Sequence, residues 1–459
     1  MKKYIKIVFA VCFTSVVAAC SSSDDTPNTP SPYEQYGTPF EKMPAKEDAI
    51  IYQVNIRAFS NAGTLNGVTE KLDAIHDLGV NVIYLMPIYP VGVLHSVGTL
   101  GSPYSVRDYK AVSAEFGTLA DLRKLVEEAH KKNMAVILDW VANHTSWDNA
   151  WITDHPDWYQ KNDKGEIISP PGSGYADVAQ LDFNNQEMRA AMVDAMSYWV
   201  YSANIDGFRC DYADFVPQNF WSQATTTLRP IKNQNILMLA EGSKVNHFAA
   251  GFDYTFGFGF FDALKKVFKE GKSATSIQDA NAAEYATNYN NSQRIVRYTS
   301  NHDVNWTDGT PLQLFGGKQG SMATFVVAAY MKSVPMIYNA QEIGYAQKID
   351  YFTHTPIDWS TADAGVLAEY KKIIAFRNSS NAIKRGTYKG YSNDAVSAFT
   401  METDTEKVFV LSNLTNSAAK YIFPNTLSKI AWKNAFDNAP VTVTTEITLE
   451  PYQYIVLKN

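Results

Sequence analysis

Short apolar runs alternate with amphipathic stretches from about position 50 to about position 380. Eight runs stand out: IIYQV (50–54), VNVIYLMPI (80–88), MAVILDWV (134–141), IDGFRCD (205–211), ILMLAE (236–241), FDYTFGF (252–258), RIVRYTS (294–300) and VPMIYN (334–339). Near-continuous apolar runs of this length are typical of parallel strands buried on both faces. Segments with helical spacing, such as 119–132 and 186–202, fall between them. Eight strand and helix units predict an α/β fold, a closed (β/α)8 TIM barrel.

An open, doubly wound sheet is the alternative arrangement of such units. A dinucleotide-binding sheet of that kind carries a Gly-rich phosphate loop after its first strand. No such loop follows the run at 50–54. The closed barrel is therefore the favoured prediction.

Two segments depart from the barrel pattern. Residues from about 145 to 182 follow the third run without barrel periodicity, which predicts a domain inserted after strand 3. From 385 the pattern changes to short alternating strands, such as VSAFTME and KVFVLSN, so 385–459 is predicted to form an antiparallel β-sandwich. The catalytic barrel, with its insertion, is then expected over 40–384.

The N-terminus reads as a targeting segment. Basic residues precede an apolar run that is too short to span a bilayer comfortably, and small residues lead to Cys20. VAAC (17–20) resembles a bacterial lipobox, so we expect a lipoprotein signal peptide at 1–19 and a lipid on Cys20. The polar, Ser/Pro-rich stretch that follows predicts a flexible tether over 20–39. An ordinary signal peptide cleaved elsewhere is the alternative.

Charge and cysteine content argue against nucleic-acid binding and against a catalytic cysteine. The formal net charge is −7, and removing the three lysines of the first nineteen residues makes it more negative. A chain this acidic, with no basic stripe, is not expected to bind nucleic acid. Beyond Cys20 the chain has one cysteine, Cys210, in an apolar strand, where packing is its expected role.

Polar side chains recur where the predicted strands end. The third run leads to Asp139, Asn143 and His144, the fourth to Arg209 and Asp211, the fifth to Glu241, and the seventh to His302 and Asp303. In a barrel all of these ends lie on one rim. A single buried acid is usually a structural ion-pair partner, but this convergence predicts a catalytic site.

Two neighbouring carboxyl groups cannot both ionise cheaply, so their pKa values separate. One can act as nucleophile and the other as proton donor, which is what glycoside hydrolysis with retention requires at a separation of about 5–5.5 Å. Arg209, two residues from Asp211 on one strand, is expected to hold Asp211 ionised. Glu241 ends an apolar strand, so burial is expected to raise its pKa and keep it protonated.

The motifs resemble those of glycoside hydrolase family 13, the α-amylase family, over nearly all of 40–459. DWVANH, GFRCD, AEG and SNHD match its four motifs in order. The resemblance implies that Asp211 is the nucleophile, Glu241 the acid/base and Asp303 the transition-state stabiliser. It also implies substrate contacts: Tyr104 stacks on the sugar at the cleavage point, and Arg209, His144 and His302 bind it. The excursion at 145–182 matches the family's domain B.

The chain also departs from the family pattern. Many α-amylases have a Lys-His pair after the nucleophile motif, where this chain has Asp214 and Phe215. Asn143 and Asp182 match family calcium ligands, but a histidine of that site is missing, so calcium remains a possible cofactor. The alternative is that both residues only join domain B to the barrel. Three tryptophans of domain B, Trp147, Trp151 and Trp158, either line sugar subsites or pack that domain.

The expected activity is retaining hydrolysis of α-glucosidic bonds in starch-like α-glucans or maltooligosaccharides. An α-glucosidase, a cyclomaltodextrinase-like or neopullulanase-like enzyme, or a transglycosylase is the alternative within the family. A non-catalytic glycan-binding protein is the alternative of another class. With its lipobox, the chain resembles a Bacteroidetes lipoprotein α-amylase, and Asp24-Asp25 resembles the surface-export signals of such lipoproteins. We therefore expect an outer-membrane lipoprotein on the cell surface or the periplasmic face, and oligomeric state stays open.

Overall fold

The computed structural model of the protein describes residues 32–232, 235–286, 293–443 and 445–459. Residues 35–459 form one compact unit; of the other unit, 1–34, only the last three residues are described. The predicted signal peptide, the lipidation site at Cys20 and most of the predicted tether therefore lie outside the described residues.

Eight parallel strands of the described residues close into a barrel, which confirms the predicted fold class. They are β1 (Ile51–Val54), β2 (Val82–Leu85), β3 (Ala135–Trp140), β6 (Gly207–Cys210), β7 (Leu237–Ala240), β8 (Tyr254–Phe256), β9 (Arg294–Tyr298) and β10 (Ser333–Tyr338). Two further strands, β4 (His144–Ser146) and β5 (Val178–Gln180), lie between β3 and β6 in the chain. Every residue of the eight barrel strands is buried, because helices cover the outer face and side chains fill the interior.

Helices alternate with the strands. Their bounds are α1 Ile56–Phe59, α2 Leu65–Thr69, α3 Leu72–Asp77, α4 Leu119–Lys131, α5 Trp151–Asp154, α6 Gln186–Ala203, α7 Gln218–Leu228, α8 Asn246–Ala249, α9 Phe258–Glu270, α10 Thr275–Glu284, α11 His302–Thr307, α12 Pro311–Leu314, α13 Gly317–Tyr330, α14 Ala364–Ser379 and α15 Asn381–Arg385. Helix α4 shows the local logic: Thr118 and Asp121 form a capping box at its start, and Leu122, Leu125, Val126 and Ala129 are its buried face.

The segment between β3 and β6 contains a small antiparallel sheet of β4 and β5, with His144 opposite Gln180. Its tryptophans serve packing: Trp158 is buried, and its ring lies 5.0 Å from that of Trp151, which in turn lies 5.2 Å from Tyr109. Packing is therefore the role that the contacts of Trp151 and Trp158 support. No helix of the described residues is long and apolar enough to cross a bilayer.

The C-terminal segment forms two antiparallel sheets in the described residues. One is ordered β11-β12-β13-β18-β15-β16 and the other pairs β14 with β17. The bounds are β11 Thr387–Gly390, β12 Val396–Glu402, β13 Lys407–Asn413, β14 Ala419–Ile422, β15 Trp432–Asn434, β16 Pro440–Val441, β17 Glu446–Leu449 and β18 Tyr454–Lys458. Side chains of both sheets share a separate apolar core that includes Phe409, Tyr421 and Trp432. This is the arrangement expected of a sandwich.

Candidate active site

Arg209 lies at the centre of the candidate site and is almost fully buried. One nitrogen, Nη1, is 2.7 Å from Asp139 Oδ1 and 2.9 Å from Asp211 Oδ1, and the other, Nη2, pairs with Glu241 Oε1. The guanidinium therefore holds three carboxyl groups from three neighbouring strands or strand ends. Such fixed, charge-assisted contacts set the orientation of both predicted catalytic carboxyl groups.

Asp139 is the site residue to which the sequence alone gave no role. Its Oδ2 accepts hydrogen bonds from the hydroxyls of Tyr84 at 2.6 Å and Tyr104 at 2.9 Å. In β3 it lies opposite Arg209 of β6 in register. An acid in the middle of the apolar run AVILDW was the available signal, since a buried carboxylate needs partners.

Burial is the largest influence on both catalytic carboxyl groups. It raises the pKa of Asp211 well above the usual range, with the repulsion of Glu241 adding to it and Arg209 opposing it. It also raises the pKa of Glu241 to about 7, against the attraction of Arg209. Burial and the excess of carboxyl groups over one guanidinium together disfavour full ionisation of the pair Asp211 and Glu241.

The raised pKa of Asp211 differs from the sequence-based expectation that Arg209 holds this carboxyl group ionised. Arg209 does bind Asp211, but its single positive charge is shared with Asp139 and Glu241. The expectation that burial raises the pKa of Glu241 agrees with its value of about 7. Glu241 Oε2 additionally accepts the backbone N–H of Tyr212 at 2.8 Å, so both of its oxygens have partners.

A chain of hydrogen bonds links His302 to the same centre. Gln53 Nε2 donates to His302 Nδ1 at 2.8 Å, and His302 Nε2 lies 2.7 Å from the Tyr104 hydroxyl, which donates to Asp139. Burial lowers the pKa of His302, so the ring is neutral. Because an amide nitrogen only donates, the ring proton lies on Nε2 and the order of donors is fixed.

Asp303 occupies the first turn of α11, which begins where Asn301 caps it through the N–H of Val304. Its side chain is half exposed and reaches 3.4 Å from His302 Nε2. It lines the same cavity as Asp211, Glu241 and Tyr104. Its negative charge therefore faces the space above the buried pair.

The cavity has a volume of about 380 Å3, and predicted site residues Tyr104, His144, Asp211, Glu241, His302 and Asp303 line it. Burial lowers the pKa of His144 to about 4, so this ring is neutral as well. Tyr212 and Phe215 stack at 3.9 Å on one side of the cavity. Asp214 accepts from His247 at 2.7 Å, which makes it a structural partner at the family's Lys-His position.

The cavity mouth is apolar. Exposed large apolar side chains include Val93, Leu94, Val97 and Leu100 on one loop, and Tyr175, Phe215, Phe258 and Trp306 elsewhere. Of these, Val97, Tyr175, Phe215 and Phe258 line the cavity itself. We call these four cavity-lining residues the apolar rim. Exposed apolar patches of this kind mark binding surfaces in soluble proteins.

The two predicted calcium ligands have different neighbours. The side chain of Asn143 pairs with that of Gln180, whereas Asp182 Oδ1 accepts the backbone and side-chain N–H groups of Asn184 at 3.0 and 2.9 Å. In the described part of the chain, no three His, Cys, Asp or Glu side chains are grouped to hold a metal ion. Calcium prefers six to eight oxygen ligands, several of them carboxylates, so this donor set does not fit it.

A family model described as the alpha amylase catalytic domain matches residues 36–168 and 173–430. The chain belongs to the alpha-amylase family. Alpha-amylase 2 of Dictyoglomus thermophilum is 26% identical over 450 residues, covering 89% of this chain and 77% of that one. The chain is thus an α-amylase-family glycoside hydrolase, which confirms the expected enzyme class over a non-catalytic binding protein.

Two crystal structures of alpha-amylase-family members superpose over nearly their full length. An alpha-amylase from Lactobacillus plantarum has a TM-score of 0.82 at 26% identity and covers 90% of this chain and 99% of its own. A noncanonic maltogenic alpha-amylase from Thermotoga neapolitana has a TM-score of 0.81 at 25% identity. The superposition covers 91% of this chain and 99% of that one. Both neighbours are described as alpha-amylases, and this chain shares their fold.

Proposed function

We propose that the protein hydrolyses α-glucosidic bonds of starch-like α-glucans or maltooligosaccharides with retention, through a covalent glycosyl-enzyme on Asp211. The observation that carries this proposal is that one buried arginine, Arg209, holds both Asp211 and Glu241. Both carboxyl groups line one cavity and both have a raised pKa, which favours one ionised and one protonated group, as a retaining glycosidase needs.

In the first step an Asp211 oxygen attacks the anomeric carbon as the glycosidic bond breaks. Glu241 gives its proton to the departing oxygen, so the leaving sugar departs as an alcohol and Glu241 becomes ionised. In the second step ionised Glu241 takes a proton from water, the water oxygen attacks the anomeric carbon, and Asp211 leaves as a carboxylate. The two inversions give retention.

Asp303 has the role of countering positive charge at the sugar ring, because its half-exposed carboxylate faces the cavity. Neutral His302 and His144 act as hydrogen-bonding groups rather than as charges, since the pKa of each is lowered by burial. Tyr104 is held by both His302 and Asp139, which fixes its ring beside the bound sugar.

The apolar rim favours an extended glucan chain as substrate. Flat aromatic faces and aliphatic side chains can cover the apolar faces of successive glucose units beyond the cavity. An exo-acting α-glucosidase, a cyclomaltodextrinase-like or neopullulanase-like enzyme, or a transglycosylase remains the second candidate, and the similarity to a maltogenic enzyme favours examining it. Early products from maltoheptaose, pullulan and cyclodextrin distinguish these activities: mixed maltooligosaccharides from maltoheptaose support endo action.

The deciding experiment separates acid catalysis from nucleophilic attack. Glu241→Gln should lower turnover of maltooligosaccharides by on the order of 10³-fold, because a sugar leaving group needs a proton. Fluoride needs none, so α-maltosyl fluoride should still glycosylate Asp211 in this variant. Azide requires no general base and should accelerate release as the α-azide.

Equal impairment of Glu241→Gln on both substrates, with no effect of azide, would contradict the assignment of Glu241. Phe215→Ala serves as the matched control, because Phe215 lines the cavity without contacting either catalytic carboxyl group in the hydrogen-bond network. It should show no azide rescue.

We also propose that the protein is anchored to the outer membrane by a lipid on Cys20, because VAAC precedes a Ser/Pro-rich stretch. Cys20→Ala should move the protein from the detergent-extracted membrane fraction to the soluble fraction. Cys210→Ala is the control and should stay in the membrane. Retention of the Cys20→Ala protein in the membrane would contradict the anchor.

A further inference from the structure

The side chain of Gln180 joins the end of β5 to the loop that follows β3. Its Oε1 accepts from Asn143 Nδ2 at 3.0 Å, and its Nε2 lies 3.2 Å from Asn143 Oδ1. The two amides thus form a reciprocal pair. Gln180 is 7% exposed, so this pair is shielded from water and its hydrogen bonds are not readily replaced by solvent.

Three oxygens converge on the Gln180 nitrogen. Besides Asn143 Oδ1, the backbone carbonyls of Asn143 and Leu181 each lie 3.0 Å from Nε2. A neutral amide nitrogen carries two hydrogens, so it has one more acceptor around it than it can serve fully. A buried group of carbonyl oxygens around one central atom is the arrangement that cations prefer in proteins.

The distances from Gln180 Nε2 to these three oxygens, however, are those of N–H···O hydrogen bonds. Calcium binds oxygens at about 2.3–2.6 Å, whereas N–H···O distances centre on about 2.9–3.0 Å. The 3.0–3.2 Å separations at Gln180 match the second range. The predicted ligand Asp182 instead accepts two hydrogen bonds from Asn184 through its Oδ1.

We propose that the Gln180 amide takes the place of a bound cation at the joint between the β3 loop and the β4–β5 sheet, so that this joint is independent of calcium. The group also positions a cavity residue. Asn143 Nδ2, held by Gln180 Oε1, donates to His144 Nδ1 at 3.2 Å. Gln180 therefore acts on the cavity through Asn143.

The test converts the joint into a metal site. Gln180→Asp shortens the side chain by one methylene, vacates the position of Nε2, and adds a carboxylate next to the three oxygens. Gln180→Asn is the matched control, with the same length and no charge. Tm is measured for the wild type and both variants in EDTA and in excess CaCl2.

The wild-type Tm should be the same in EDTA and in CaCl2. Both variants should melt lower in EDTA, by on the order of 5 °C, because buried acceptors lose their donor. Calcium should raise the Tm of Gln180→Asp and leave that of Gln180→Asn unchanged, since only a folded site that binds the ion is stabilised.

Either of two results would overturn the proposal. A fall in wild-type Tm on chelation, with calcium found in the untreated protein by elemental analysis, would show that a cation holds the native joint. An equal response of Gln180→Asp and Gln180→Asn to calcium would show that the three oxygens do not form a cation site. If neither variant folds, the comparison of wild-type Tm in EDTA and in CaCl2 still tests the proposal.

Discussion

Two buried charge clusters lie at opposite ends of strand β6, and they differ in their balance of charge. Asp206 immediately precedes the strand, and Arg209 is its third residue. At the first end one carboxylate, Asp206, meets the Lys232 ammonium at 2.9 Å and His130 at 2.7 Å. At the second end one guanidinium meets three carboxyl groups.

The titration of the two clusters follows from that difference. Burial of Asp206 by itself raises its pKa, but Lys232, His130 and the N–H of Val136 together hold the pKa below its usual value. At the Arg209 end the pKa values of Asp211 and Glu241 are both raised. A balanced cluster fixes the barrel, whereas an unbalanced one keeps a transferable proton.

The largest effect is expected from a substitution in the unbalanced cluster around Arg209. Asp211→Asn removes the proposed nucleophile without changing side-chain size, so kcat should fall by on the order of 10⁴-fold or more while the fold is kept. Circular dichroism and Tm check the fold, and a mechanism-based fluorosugar should label Asp211 in the wild type. Labelling of Asp303 instead would exchange the two assignments.

The next largest effect is expected from a substitution in the balanced cluster around Asp206. Asp206→Asn leaves the Lys232 ammonium buried without its counter-charge, so the free energy of unfolding should fall by about 3–5 kcal/mol, with kcat of the folded fraction preserved. Urea denaturation measures the loss. Asp206→Asn combined with Lys232→Met should lose less than the two single variants together; an additive loss would show that the pair is not coupled.

The smallest expected effect is on the pH dependence of activity and stability, which reports the titration of the cluster around Arg209. Burial raises the pKa of Glu241, the proposed catalytic acid, to about 7, so kcat/KM should fall above that pH by about tenfold per unit. A raised carboxyl pKa also means that the folded state binds more protons than the unfolded state between about pH 4.5 and 7, so this group's contribution to stability decreases as pH rises through that range.

Asp139→Asn removes a charge that raises the pKa of both Asp211 and Glu241, so the alkaline limb should move to lower pH. Tyr84→Phe is the control, because it removes one hydrogen bond to Asp139 and keeps the charge. An unmoved limb in Asp139→Asn would mean that burial, rather than the excess of carboxylates, sets the raised pKa of Glu241.

The sequence was sufficient for the barrel because buried parallel strands are read from local apolar runs. The run at 236–241 contains β7, Leu237–Ala240, and the run at 334–339 overlaps β10, Ser333–Tyr338. The residues of the candidate site were also recognisable, since barrel strand ends share one rim. Roles for them remain predictions that the experiments above test.

The sequence could not predict which side chains of different strands contact one another. Asp139 and Arg209 are 70 positions apart, and their contact depends on the register of β3 with β6. The pairing of Asn143 with Gln180 likewise depends on the β4–β5 register, in which His144 faces Gln180. Apolar patterning specifies which face of a strand is buried, but not which residues of two distant strands become neighbours.

Cys210 gives this enzyme a practical advantage for spectroscopy. It is the one free cysteine among the described residues, and its side chain has no solvent exposure. Thiol reagents need an accessible thiolate, and burial raises the pKa of Cys210 well above its usual value. In a soluble form that starts after Cys20, a cysteine introduced at Val97, which is 40% exposed and lines the cavity, would therefore take a maleimide fluorophore alone. Its emission would report the arrival of a glucan chain in real time.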